Sequence, residues 1–241
     1  MRPVGLELLH EDEAEGIVSS VYADVRRRMP FVPALFKALA ADPDTLVAAW
    51  LQARAIIDDP RSRIAADAIR ESARVRLDYR PSSRVREIVA PFVAELPFML
   101  LIVTSLQLSL SGELARRPKP ELDLPAEAPV PEPEFPGRAE HELFAEICAA
   151  YGTQHLPSIF RTLAANGVLE EAWAALGPFL TSPAGADAVA LVSREADIRA
   201  RSMPEVTSFD VPTARPVLDQ FSRALPRNLI VASAGTRGRR T

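Results

Sequence analysis

Apolar residues fall at Leu46, Trp50, Ala53 and Ile57, and again at Leu169, Trp173, Leu176 and Leu180. Both sets follow the i, i+4, i+7, i+11 spacing that lays one buried stripe along an α-helix, so each stretch is predicted to be helical. The stretches sit in longer blocks that match each other, "VPALFKALAADPDTLVAAW" from Val32 and "LPSIFRTLAANGVLEEAW" from Leu156. In each block a proline, Pro33 or Pro157, stands where a first helix begins and its missing N–H costs nothing. Asp42 and Asn166 then read as N-caps of a second helix.

The match runs well past these blocks. "FVAELPFMLLIV" from Phe92 pairs with "FSRALPRNLIVA" from Phe221 through a shared F-x-x-x-L-P-x-x-L, and the triplet "DDP" at 58–60 faces "TSP" at 181–183. Self-similarity on this scale predicts two copies of one unit. β-Branched alternation is scarce and hairpin turn signals are missing. The expected fold is therefore all-α, two internally duplicated helical repeats packed as a pseudo-dimer, about five or six helices to each copy. The expected boundaries are repeat 1 over 1–115, a proline-rich acidic linker over 116–137 and repeat 2 over 138–241. The linker reads as extended and polyproline-like, with no core of its own.

The uncharged run from Leu96 to Gly112 invites a membrane reading, but its sister, Leu225 to Ala234, carries Arg227 and Asn228. A buried core helix is the expectation, with no membrane partner. A net charge of −4 gives no broad basic surface, so nucleic acid is not an expected partner. The single cysteine, Cys148, excludes an intramolecular disulfide and points to a reducing cytoplasm. The N-terminal residues show acidic side chains where a signal peptide would be apolar.

Phosphate-binding and nucleophile-elbow motifs are absent. "HELFA" from His141 starts like a zinc-protease helix but has Ala145 in place of the second histidine, and no metal or cofactor is expected. A helical chain opening "VPALFKALA" also resembles the AhpD group, whose redox chemistry requires a C-x-x-C pair where this chain has Cys148 alone.

The tandem blocks, the "LPFMLL" and "LPRNLI" segments and the proline-rich connector resemble the DehI family, the group I 2-haloacid dehalogenases. That resemblance implies an active site between two helical repeats. It also implies an aspartate of the second repeat that activates water to displace halide at C2 of a small haloacid, with inversion. The implied aspartate follows the serine of the second block, and Ile159, after Ser158, stands there. The catalytic candidates are then His155, Ser158 and Asn228: the histidine as substitute base, the serine as a reactive hydroxyl or helix cap, and the asparagine because it interrupts an apolar helix and needs a partner if buried.

Where the blocks differ, one wall of a shared cleft would be apolar, with Phe31, Ala34, Phe98 and Met99, and the other polar, with His155, Ser158, Arg227 and Asn228. Ile159 would line the same pocket, and Arg227 or Arg161 would hold a carboxylate. Glu146, Asp187 and Asp197 are candidate replacement bases. A small carboxylate is the expected partner, and a homodimer stays open. The rival readings are a non-catalytic scaffold that binds a small ligand or a protein, and an AhpD-like protein.

Overall fold

The computed structural model describes residues 7–114, 124–125, 142–153, 156–203, 209 and 211–236. The described residues form ten α-helices and no strand. Five precede the connector: α1 (Gly16–Arg26), α2 (Ala34–Leu39), α3 (Pro43–Asp58), α4 (Arg61–Ser72) and α5 (Ser83–Leu110). Five follow it: α6 (Leu143–Tyr151), α7 (Ser158–Ala165), α8 (Leu169–Leu180), α9 (Pro183–Ala200) and α10 (Arg215–Gly235), the last entered through a 3-10 turn at Pro212–Ala214. The all-α prediction holds. The expected linker, 116–137, lies outside the described residues except Leu124 and Pro125, and Leu124 packs on the core.

Local chemistry sets the helix ends. Pro33 and Pro157 occupy the N-cap positions of α2 and α7, each with extended backbone. Asp42 caps α3, its side chain accepting from the Asp44 N–H at 3.3 Å, with Pro43 opening the helix. Asn166 behaves differently from the prediction. It ends α7 rather than starting α8, because Gly167 takes a positive φ of 67° and turns the chain, with Val168 N–H bonded back to the Leu163 carbonyl. The Asn166 side chain is held by Arg84 of α5, whose Nη2 donates to its Oδ1 at 2.5 Å.

The predicted stripe of α8 is buried throughout, at Leu169, Trp173, Leu176 and Leu180. In α3 the stripe holds through Leu46, Trp50 and Ala53, then passes to Ile56, leaving Ile57 half-buried.

The two long helices, α5 and α10, form the centre. They run antiparallel: Gln107 near the end of α5 donates to Asp219 Oδ1 at 3.0 Å and Ser222 Oγ at 3.3 Å near the start of α10, while Gly235 at the end of α10 lies against Val85 and Val89. A Cβ on Gly235 would stand 2.9 Å from the Val89 side chain, so the close approach needs glycine. The short helices cross over, α2 packing on α10 and α7 on α5, while α9 packs on α4, α5 and α10.

By length and composition α5 could cross a membrane, yet 61% of its apolar window is buried inside the protein. It is a core helix in this fold. Pro97 within α5 has no N–H to offer the Val93 carbonyl, and Arg70 of α4 supplies the missing donor at 3.1 Å. The break is thereby a docking point for α4. Pro226 stands at the matching place inside α10.

Candidate functional site

The contacts at both ends of the α5–α10 pair place the matching segments 96–99 and 225–228 near its middle. On α5, Phe98 is half-buried and Met99 buried. On α10, Arg227 is half-buried, and Asn228 is 8% exposed with no protein partner for its Oδ1. An amide oxygen buried without a partner is costly, and such groups gather where a ligand completes them.

Arg227 reaches toward α6. Its guanidinium carbon lies 5.8 Å from the centre of the Tyr151 ring, and Nη1 donates to the Arg223 carbonyl at 2.8 Å. Tyr151, 4% exposed, also has a hydroxyl without a protein partner. Burial pushes the phenol far above its ordinary range, and the Arg227 charge pulls it back only in part, so the group is a neutral donor at any working pH. Edge-on contact with Phe160, centroids 5.5 Å apart, fixes the ring, and Phe160 in turn stands edge-on to Trp173 at 5.7 Å.

The start of α7 carries the other predicted residues. Ser158 is exposed and makes no capping bond; Pro157 holds the cap position, so the capping reading of Ser158 does not apply. Ile159 is 1% exposed, a core side chain in the place where the family resemblance implied an acid. Arg161 is exposed, beside Cys148, whereas its counterpart Lys37 is buried in an ion pair with Glu11. Phe31 and the first residue of α2, Ala34, are both half-buried, and α2 packs on α10. His155 lies outside the described residues. Of the predicted set, the structure joins Arg227 and Asn228 to one neighbourhood and sets Arg161 and Ser158 at the surface.

The candidate replacement bases are engaged elsewhere or exposed. Glu146 accepts from Trp173 Nε1 at 2.8 Å, Asp197 pairs with Arg201 at 2.9 Å, and Asp187 is exposed. A carboxylate not anticipated from the pattern, Glu95 of α5, is half-buried one turn before Met99, and burial raises its pKa above the ordinary value. Glu95 left a trace in the sequence, as an acid bordering an apolar run that has Ala224 as its counterpart. Burial also pushes the Cys148 thiol up, the Arg161 charge offsetting part of it, and a raised thiol pKa does not favour a reactive thiolate. Among the described residues no group of three or more His, Cys, Asp or Glu is arranged to hold a metal.

No family model matches the chain, and no curated protein sequence does. Solved structures match over nearly its whole length. A D-2-haloacid dehalogenase mutant in complex with D-2-CPA has a TM-score of 0.78 at 18% identity, covering 98% of this chain and 97% of that one. D-2-haloacid dehalogenase in complex with L-LA gives 0.77 at 18% identity, covering 98% of each chain. A third structure, a D-2-halacid dehalogenase mutant, gives 0.77 at 17%. An all-α order of ten helices that superposes end to end on these proteins gives the chain the DehI-like fold of the 2-haloacid dehalogenases.

Proposed function

We propose that this is a 2-haloacid dehalogenase-like protein that takes a small 2-substituted carboxylic acid between two helical units, 1–115 and 138–241, joined by the 116–137 linker. The observation that carries the reading is the end-to-end match to dehalogenases solved with D-2-CPA and L-LA. The unpartnered Asn228 and Tyr151 groups beside Arg227 support it, since they offer hydrogen bonds and a positive charge to a small anion. Recurring geometry supports the two-unit reading: Phe36 meets Trp50 edge-on at 5.3 Å as Phe160 meets Trp173 at 5.7 Å, and each indole N–H is bonded to a carboxylate two helices back.

Halide release requires a group that takes a proton from the attacking water. Ile159 cannot. Glu95 is the described carboxylate best suited to the task, because its burial near the α5–α10 crossing favours accepting a proton. The test is to incubate the pure chain with each enantiomer of 2-chloropropionate and measure free halide alongside thermal shift. Halide release lost in Glu95→Gln identifies the hydrolase. A raised melting point without halide identifies a carboxylate-binding protein of the same fold, the reading that the buried Ile159 favours. Neither halide nor a shift refutes the proposal.

A further inference from the structure

Three polar groups in the second set of helices have apolar counterparts in the first. Tyr151 follows Glu146 by five residues, as Met29 follows Asp24, and Glu146 and Asp24 accept from the equivalent tryptophans Trp173 and Trp50. Tyr151 and Met29 are each 4% exposed. Arg227 and Asn228 likewise face Phe98 and Met99 in the aligned segments. A fold that accepts methionine at 29 does not require a hydroxyl at 151, and a buried hydroxyl without a partner costs about 1–3 kcal/mol. The ring packs on Phe160, and the hydroxyl is what packing does not explain.

The arrangement has the parts of an anion clamp. The phenol is neutral and enclosed, with an O–H to donate and its ring set edge-on to Phe160. Arg227 is half-buried, its guanidinium lies over the face of that ring, and among the described residues Nη1 donates to the Arg223 carbonyl, which leaves further N–H donors for an anion. A carboxylate is small, planar and charged, and its oxygens accept from phenol and guanidinium donors in charge-assisted bonds.

We propose that Tyr151 and Arg227 together bind the carboxylate of the ligand, making the site selective for a small organic monoanion over its neutral analogue. Carboxylate recognition thus belongs to the second helical unit alone. The inference rests on the small-carboxylate reading above, and goes beyond it in naming the two groups that hold the charge.

The full chain is titrated calorimetrically with propionate, lactate, 2-chloropropionate and lactamide, as wild type, Tyr151→Phe and Arg227→Met. The expected result is binding of the anions, none of lactamide, and a loss of about tenfold or more in affinity in each variant. Tyr151→Phe removes an unpartnered hydroxyl while keeping the ring, so without ligand it melts at or above wild type; a clearly lower melting point would give that hydroxyl a structural role and overturn the proposal. Anion binding unchanged in both variants overturns the clamp and leaves the functional reading standing. Propionate binding that both variants weaken, without binding of either 2-substituted acid, supports the clamp and refutes the functional reading. No binding of any anion to wild type overturns both.

Discussion

Trp50 and Trp173 make the same bond in two different settings. Trp50 Nε1 donates to Asp24 Oδ2 at 2.9 Å, and Asp24 is buried, with Arg54 on the same oxygen at 3.5 Å and Arg28 on Oδ1 at 2.6 Å. Trp173 Nε1 donates to Glu146 at 2.8 Å, and Glu146 is exposed. The Trp50 indole is locked into a desolvated charge network; the Trp173 indole is tied to a surface acid. The difference teaches that one sequence pattern can specify a contact without specifying its energetic weight, since weight depends on whether water can replace the partner.

The most demanding test of that contrast removes the acids. Asp24→Ala leaves a buried indole N–H and nearby arginines uncompensated and should cost about 3–5 kcal/mol in denaturant unfolding. Glu146→Ala, where water can take the acceptor's place, should cost about 1 kcal/mol or less. Equal losses would break the comparison.

The corner after the tryptophan helix gives a second test. After α3, Ser62, fully buried, donates its hydroxyl to the Ile56 carbonyl. At the matching corner Ser182 donates to the Phe179 carbonyl at 2.7 Å, and the residue aligned with Ser62 is Gly185, where a Cβ would lie 2.1 Å from that carbonyl oxygen. Gly185→Ala should destabilise by about 3 kcal/mol through this backbone clash. Ser62→Ala, which removes the bond to the Ile56 carbonyl and the weak contact to Met203 Sδ at 3.6 Å, should cost about 1 kcal/mol, both read from urea midpoints.

The smallest effect concerns Glu95 and its counterpart Ala224. Burial raises the folded-state pKa of Glu95, so its neutral form is favoured in the native state. Its contribution to stability is present at pH below the ordinary carboxylate range and is lost as pH rises through the raised value. Glu95→Gln should therefore raise the melting temperature by a degree or two at neutral pH, and the gain should vanish at acid pH. A gain independent of pH would show that the charge is not its cause.

Much of this architecture was legible in the pattern. The 3.6-residue stripes, the prolines at 33, 43 and 157 and the cap at Asp42 announced α2, α3, α7 and α8, because these signals act within a turn or two of backbone. Asn166 was misassigned because an asparagine suits either end of a helix, and Gly167 with Arg84 of α5 decided which. The apolar Leu96–Gly112 run was read as core through its sister segment, and its burial against α10 agrees. The site was less legible. Arg227 and Asn228 stood out against Phe98 and Met99, but Tyr151 drew no notice, since nothing local to it shows that its hydroxyl is enclosed and unpartnered.

The sequence by itself determined the helices, their order and most of their ends, through spacing, proline and capping chemistry that need only near neighbours. Tertiary structure alone decided which polar groups are buried, and which are satisfied. Arg70 completing the carbonyl freed by Pro97, Asp24 joining Trp50 to two arginines, and Arg227 lying over Tyr151 all join residues far apart in the chain. Desolvation and pairing are properties of the packed whole, and the free energy of a polar group turns on them.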